Sequence, residues 1–286
     1  MTSSTQFPSI GIHRGVADDT YHAFDAASSS RLKLLDRSPA HLRAELDEPK
    51  SYSWHQKLGI AAHAAILTPM LFDRDFTMLP AGHNARTKAG KALQQELAER
   101  YGEMRVLKRD EHAACIAMRK AVLAHKEAGR LLKLCPDREV SLVANMPTGN
   151  GNLLCKARFD AVSFGSRMIV DIKTTKDAQP EAFGKSAWNY GYYRQAAFYM
   201  HMAAALGQPI EQYYIIAVEK EAPYAVSVHS IGDDLLQFGW AELQEMMNRY
   251  AECLHTNEWP GYVSHAIELP IPHWAKRVMA EAGHYA

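Results

Sequence analysis

The chain has 286 residues, 47% of them hydrophobic and 22% charged, and its 32 Lys+Arg balance its 32 Asp+Glu to a net charge of zero. That composition fits a folded globular chain with a sizeable core. It holds no apolar run of about 18 residues, so no membrane span is expected. Zero net charge excludes a protein that coats nucleic acid non-specifically, but not one that gathers its cations into a cleft. The opening M-T-S-S-T-Q-F-P-S-I lacks a basic region followed by an apolar stretch, so no signal peptide is read and the expected compartment is the cytoplasm. The four cysteines, Cys115, Cys135, Cys155 and Cys253, form no C-x-x-C pair. Reduced, buried thiols are expected rather than a zinc site.

Residues 1–27 read as an irregular lead-in. Ser28, Ser29 and Ser30 offer N-caps for a helix through R-L-K-L-L, and Ser38-Pro39 opens another that Pro49 ends. A helix near 53–68 follows, stopped by Pro69. It carries Gly59 and His63 four apart, on one face. A mid-helix glycine costs about 1 kcal/mol against alanine, so a close neighbour is expected at Gly59. Residues 80–90 form a polar, basic loop, and two helices are expected at about 89–101 and 110–134, the second capped by Asp110.

After Pro136 the pattern changes to period two. E-V-S-L-V-A-N-M alternates as a strand from Glu139, and T-G-N-G-N is a turn. L-L-C-K-A-R-F-D-A-V and M-I-V-D-I-K-T-T then flank S-F-G-S-R as a hairpin. Side chains alternate along a strand. Leu153, Cys155, Ala157, Phe159 and Ala161 therefore take one face, with Lys156, Arg158 and Asp160 on the other. If 164–167 form the loop, 163 pairs with 168 and Asp160 stands opposite Asp171. Opposed residues have Cβ atoms about 4.5–5.5 Å apart, so two carboxylates there repel each other unless a cation lies between them. Lys173 lies about 6.6 Å further along the same face.

A helix is expected from about Pro180 to Leu206, with Tyr192, Gln195, Tyr199 and Met202 along one stripe. Tyrosines at that spacing read equally as core. Q-Y-Y-I-I-A-V-E and Y-A-V-S-V-H-S-I read as two strands, and a long helix spans Asp233 to about His255. The tail, with W-P-G-Y and L-P-I-P-H-W-A, is aromatic and proline-rich. A single domain over 1–286 is expected: a helical part at about 28–135, a sheet core at about 136–232, and a C-terminal helix and tail at about 233–286.

Taken in order, G-x-x-x-H, E, D, D-x-K and Q-x-x-x-Y resemble the RecB-like branch of the PD-(D/E)xK nucleases. The stretches Y-H-A-F-D-A-A-S-S-S-R-L-K-L-L-D-R-S-P-A-H, L-G-I-A-A-H, H-N-A-R-T-K-A-G-K, C-K-A-R-F-D, V-D-I-K-T-T, Q-A-A-F-Y, N-E-W-P-G-Y and L-P-I-P-H-W-A are similar to the C-terminal nuclease domain of RecE-type exodeoxyribonuclease VIII. The resemblance implies an α/β (α+β mixed sheet) fold, the αβββαβ restriction-endonuclease-like core with additional N-terminal and flanking helices. It implies Mg²⁺-dependent hydrolysis of the 5′ strand of linear duplex DNA, leaving 3′ tails, with Mn²⁺ able to substitute. It also implies a homo-oligomeric ring around the duplex and a RecT-type single-strand annealing protein as partner. Some nucleases of this class hold an iron–sulfur cluster on four cysteines, three of them close together near the C-terminus. Only Cys253 lies there, so no cluster is expected.

In the implied site, Asp160, Asp171, the Ile172 carbonyl and His63 ligate the metal, with Glu139 holding a second ion or a metal-bound water. Lys173 orients the attacking water, and Gln195 and Tyr199 support Lys173 or touch DNA. Arg158 binds phosphate or pairs with a nearby carboxylate. Arg86, Lys88 and Lys176 are the remaining candidates for DNA contact. Two other readings stand: a single-strand or flap nuclease, and a nuclease fold that only binds DNA.

Overall fold

The computed structural model describes residues 9–48 and 54–283, with the side chains of Trp54 and His55 outside that description. Pro49 and Ser53, expected at element boundaries, lie outside it too. The expected lead-in is ordered where described: β1 (Gly11–His13) is followed by α1 (Asp18–Ala23). Helices α2 (Ser29–Leu32) and α3 (Pro39–Asp47) start where serine caps were read, Ser28 accepting from Arg31 N and Ser38 from His41 N. Pro69, expected to stop α4 (Trp54–Leu67), also starts α5 (Pro69–Asp75), where its missing N–H costs nothing. A short parallel pair, β2 (Thr77–Met78) and β3 (Val106–Leu107), brackets α6 (Lys88–Tyr101).

Two expected helices are each broken. The 110–134 pattern divides into α7 (Arg109–Ala124) and α8 (Lys126–Leu134), because His125 leaves the helical region and caps α8 from its ring nitrogen. Asp110 is not the cap of α7; Lys108 is, its N–H donating to Glu111 at 2.8 Å. The strands then run as read: β4 (Asp137–Thr148), β5 (Gly151–Ser163) and β6 (Met168–Thr175). The helix expected from 180 to 206 divides into α9 (Pro180–Tyr190) and α10 (Tyr192–Ala205). Gly191 sits between them with φ 68°, and a Cβ there would lie 2.9 Å from Arg194 Nε. β7 (Gln212–Glu219) and β8 (Val226–Ser230) close the sheet. α11 (Asp233–Thr256) follows, and the tail holds α12 (His273–Glu281), which its prolines had hidden.

The sheet order is β1-β4-β5-β6-β7-β8, with only β6 and β7 parallel. Parallel neighbours need a crossover, which α9 and α10 supply. This is the αβββαβ core that the resemblance implies. Helices α4, α5, α7 and α8 cover one face of the sheet, packing on Val170, Ile172 and Ile216. The other face, with Phe159 and Ile215, is covered by α10 and α11 together with α2, α3 and α9. Burying a side chain such as Phe159 is worth about 2–3 kcal/mol. Among the described residues no helix is long and apolar enough to cross a membrane. All four cysteines are free and buried.

One face assignment is corrected. Ala161 does not share a face with Phe159: Phe159 packs with the α10 layer and Ala161 with the α4 layer. The irregularity falls between them at Asp160 and across the ladder at Glu139, whose φ of 50° is left-handed. A non-glycine residue held there costs of order 1 kcal/mol, and such strain gathers at functional positions.

Gly59 packs toward β6, but an added Cβ would lie 3.5 Å from Thr174 Oγ1, an ordinary contact. The close neighbour expected from sequence is present without forbidding a methyl group. Gly59→Ala is therefore expected to raise stability by up to about 1 kcal/mol through helix propensity. A urea titration checks this; a loss of stability would show that the α4–β6 packing has no slack.

Candidate active site

The hairpin register is the expected one. Ser163 pairs with Met168, Val162 with Ile169 and Ala161 with Val170. There the ladder between β5 and β6 ends. β5 continues along β4, while β6 stays with β7 to Thr175. The two strands part at Asp160 and Asp171, and the gap is bridged by a side chain: Asp160 Oδ2 accepts from Ile172 N at 2.7 Å. A carboxylate takes the place of a strand carbonyl, which holds the fork open while satisfying the backbone.

Asp171 is 1% exposed. Its Oδ1 accepts from Gln195 Nε2 at 3.0 Å, and its Oδ2 lies 2.5 Å from Lys173 Nζ. That ion pair leaves Oδ2 without an aligned hydrogen bond. Burial raises the Asp171 carboxyl pKa, against the pull of Lys173. For Lys173, burial works against the charge, but Asp171 and Asp160 more than offset it, and its pKa is raised. The Tyr192 ring adds to this, with Nζ 4.8 Å from its centroid. Glu139 is pushed up to about 8, first by burial and then by the charge of Asp160. His63, on α4, brings Nδ1 to 3.5 Å from Asp160 Oδ2. Tyr199 hydrogen-bonds with Gln195 and stacks near Phe159. Burial, more than any charge, raises its hydroxyl pKa far above the usual range.

The structure thus brings Glu139, Asp160, Asp171, Lys173, Gln195, Tyr199 and His63 to one fork, and it separates the candidate DNA contacts from it. Arg158 takes the ion-pair alternative. Its guanidinium donates to Asp18 at 2.6 Å, to Ser141 Oγ and to the Val16 carbonyl, and lies 4.2 Å from the centroid of the Tyr21 ring. With 10% of its side chain exposed, it is a structural clamp rather than a phosphate contact. Arg86, Lys88 and Lys176 are exposed. Lys156, read only as a polar-face residue, is 5% exposed and donates to the carbonyls of Tyr21, His22 and Phe24. It anchors the end of α1 and with it Tyr21, whose hydroxyl is pushed up to about 12, chiefly by burial. Tyr21 and Tyr192 are the site residues that sequence reasoning missed as such. Tyr192 was visible on the Gln195 stripe; Tyr21 lies in a six-residue helix with no periodic signal.

Among the described residues, no group of three or more His, Cys, Asp or Glu side chains stands ready-made around a metal position. The donor chemistry nonetheless fits a hard divalent cation: carboxylates with raised pKa values, one buried oxygen without a hydrogen bond, and an imidazole beside them. A cation would relieve the repulsion that keeps the Glu139 proton on.

The family described as "PDDEXK-like domain of unknown function (DUF3799)" matches residues 28–269. The chain belongs to this family. A "Putative exonuclease" from Eubacterium rectale has a similar structure, with a TM-score of 0.60 at 11% identity over 94% of this chain and 98% of that one. A "phage related exonuclease" from Haemophilus somnus 129PT gives a TM-score of 0.32 at 14% identity over 82% of this chain and 98% of that one. No curated protein matches. The Eubacterium rectale likeness supports the PD-(D/E)xK fold; a shared fold does not carry an activity with it.

Proposed function

We propose that this protein is a Mg²⁺-dependent DNA exonuclease of the RecE type. It would remove the 5′ strand from the ends of linear duplex DNA and leave 3′ single-stranded tails for recombination by strand annealing. The observation that carries this reading is the fork itself: two carboxylates held where the β5–β6 ladder parts, with a lysine fixed against one of them. A protein that only binds DNA has no use for that arrangement.

The residues that would hold Mg²⁺ are Asp160, Asp171, the Ile172 carbonyl and His63, with Glu139 acting directly or through a water. When bound, the ion supplies a Lewis acid for the phosphate and a water of lowered pKa. The chain's own residues do the rest. Gln195 orients the Asp171 carboxylate, and Tyr199 orients Gln195. Lys173 places a fixed positive charge where negative charge grows on the phosphate, and Tyr192 holds that ammonium in place. The homo-oligomeric ring and the RecT-type partner rest on the sequence resemblance and belong to the same proposal.

In metal-free protein, a Glu139 carboxyl at about 8 exceeds its unfolded value of about 4.3. Its proton is then held more tightly in the folded state. That contribution to stability is complete below the unfolded value and is lost as pH rises through about 8. The melting temperature without metal is expected to fall across this window, and Mg²⁺ to raise it more at pH 8 than at pH 6. Scanning calorimetry checks this, and a Mg²⁺ shift equal at both values would contradict it. The activity itself is tested on linear duplex labelled at either end. Release from the 5′ label first, in Mg²⁺ and not in EDTA, is the expected result. Absence of cleavage in both Mg²⁺ and Mn²⁺ would overturn the proposal.

A further inference from the structure

Beside the fork lies a cavity of about 260 Å³. Its wall includes Gln195 and Tyr199 of the site, then Tyr192, Tyr190, Lys33 and Arg194, and no aspartate or glutamate. The break at Gly191 shapes it. Gly191's left-handed backbone ends α9 and starts α10 within one residue, so Tyr190 and Tyr192 project side by side, ring centroids 5.7 Å apart and 20° from parallel. Tyr192 covers Lys173. At the far end Lys33 Nζ lies 5.0 Å from the Tyr190 ring centroid and donates to the Tyr190 carbonyl at 3.0 Å. An aromatic step thus leads from the site lysine to a second lysine, and Tyr190, 58% exposed, is its open end.

A lone exposed aromatic is ordinary on any protein surface. This one differs in company. It is the outer member of a stacked pair whose inner member touches Lys173, and it edges a cavity whose charged lining is all cationic. Burial lowers the Lys33 pKa, with Arg194 adding to the effect, so an anion beside Lys33 would be welcome.

The geometry points to Tyr190 as a stacking platform for an unpaired base of the DNA strand, with Lys33 meeting the adjoining phosphate. This rests on the nuclease reading and sharpens its substrate: single-stranded or frayed nucleotides beside the scissile bond. Every base has a π-face, and stacking on an aromatic side chain is worth about 1–3 kcal/mol per base whatever the sequence. A base paired within a duplex has no free face to offer, so this platform selects the unpaired form.

The test measures binding, so it does not depend on turnover. Anisotropy of a short labelled oligothymidylate is followed in metal-free buffer with full-length wild type, Tyr190→Ala and Tyr190→Phe. Tyr190→Ala is expected to bind about tenfold more weakly, within the fivefold to 150-fold span that those stacking energies convert to, and Tyr190→Phe to bind as wild type does. A strand of abasic sugar-phosphates is expected to bind wild type and Tyr190→Ala alike. Equal oligothymidylate binding by wild type and Tyr190→Ala would overturn the inference, as would an equal loss on the abasic strand. If wild type still cut duplex in Mg²⁺, the nuclease reading would survive that failure. A wild type that neither bound nor cut any DNA would end both.

Discussion

Asp171→Asn is expected to lower DNA cleavage in Mg²⁺ by about a thousandfold or more, because the substitution removes a metal-binding charge and the partner of Lys173 together. Binding of DNA is expected to persist. Asparagine keeps an oxygen for Gln195 to donate to, so the local geometry has reason to hold. Stability falls as well. Breaking a buried ion pair costs about 3–5 kcal/mol when the surviving charge stays buried. Lys173 retains 14% side-chain exposure and the Tyr192 ring, so the expected loss is smaller, about 1–3 kcal/mol. Single-turnover cleavage of an end-labelled duplex, read beside a urea melt, separates the two effects. Full cleavage by a folded Asp171→Asn protein would refute the site.

Lys173→Met is expected to cost about 10²–10³ in cleavage rate, the scale for losing one fixed charge aimed at a transition state. The fold should tolerate it better than Asp171→Asn. Methionine keeps an unbranched apolar stem against Tyr192, and burial already biases the Asp171 carboxyl toward its neutral form. Lys173→Arg restores the charge without the compact ammonium and is expected to recover part of the rate only. The useful readout is a fall in kcat with little change in DNA affinity. A variant that lost affinity and kept kcat would make Lys173 a binding residue instead.

The centre of this site was legible because strand period and turn length together fix register. Once 164–167 closes the hairpin, Asp160 and Asp171 must meet, and the observed Ser163–Met168 pair agrees. The three-stranded run and β7 were legible for the same reason, since β-branched residues bounded by Gly and Pro give clear limits. What escaped was tertiary. Ala161 changes layers because Glu139 adopts a left-handed φ, and no local preference of glutamate announces that. The breaks at His125 and Gly191 lie inside apolar stripes that run on through them, so periodicity alone joins the pieces.

Arg158 illustrates a different limit. Its strand face was read correctly, yet its partner Asp18 lies in α1, a six-residue helix without buried residues. Sequence could place the cation and not the anion that takes it. The same helix brings Tyr21 over the site through Lys156, a contact between residues 135 apart. Long-range contacts of that kind decide which polar-face residues remain free for a ligand, and here they leave Lys173 in the site and remove Arg158 from it.

The most direct test sets linear duplex, closed circular duplex and single strand side by side with wild type and Asp171→Asn in Mg²⁺. Wild type is expected to consume the linear duplex from its 5′ ends and spare the circle, with Asp171→Asn inactive on all three. Cleavage that survives in Asp171→Asn, or no cleavage by wild type in either Mg²⁺ or Mn²⁺, would contradict the assignment of the Asp160–Asp171 fork as a metal-dependent nuclease site.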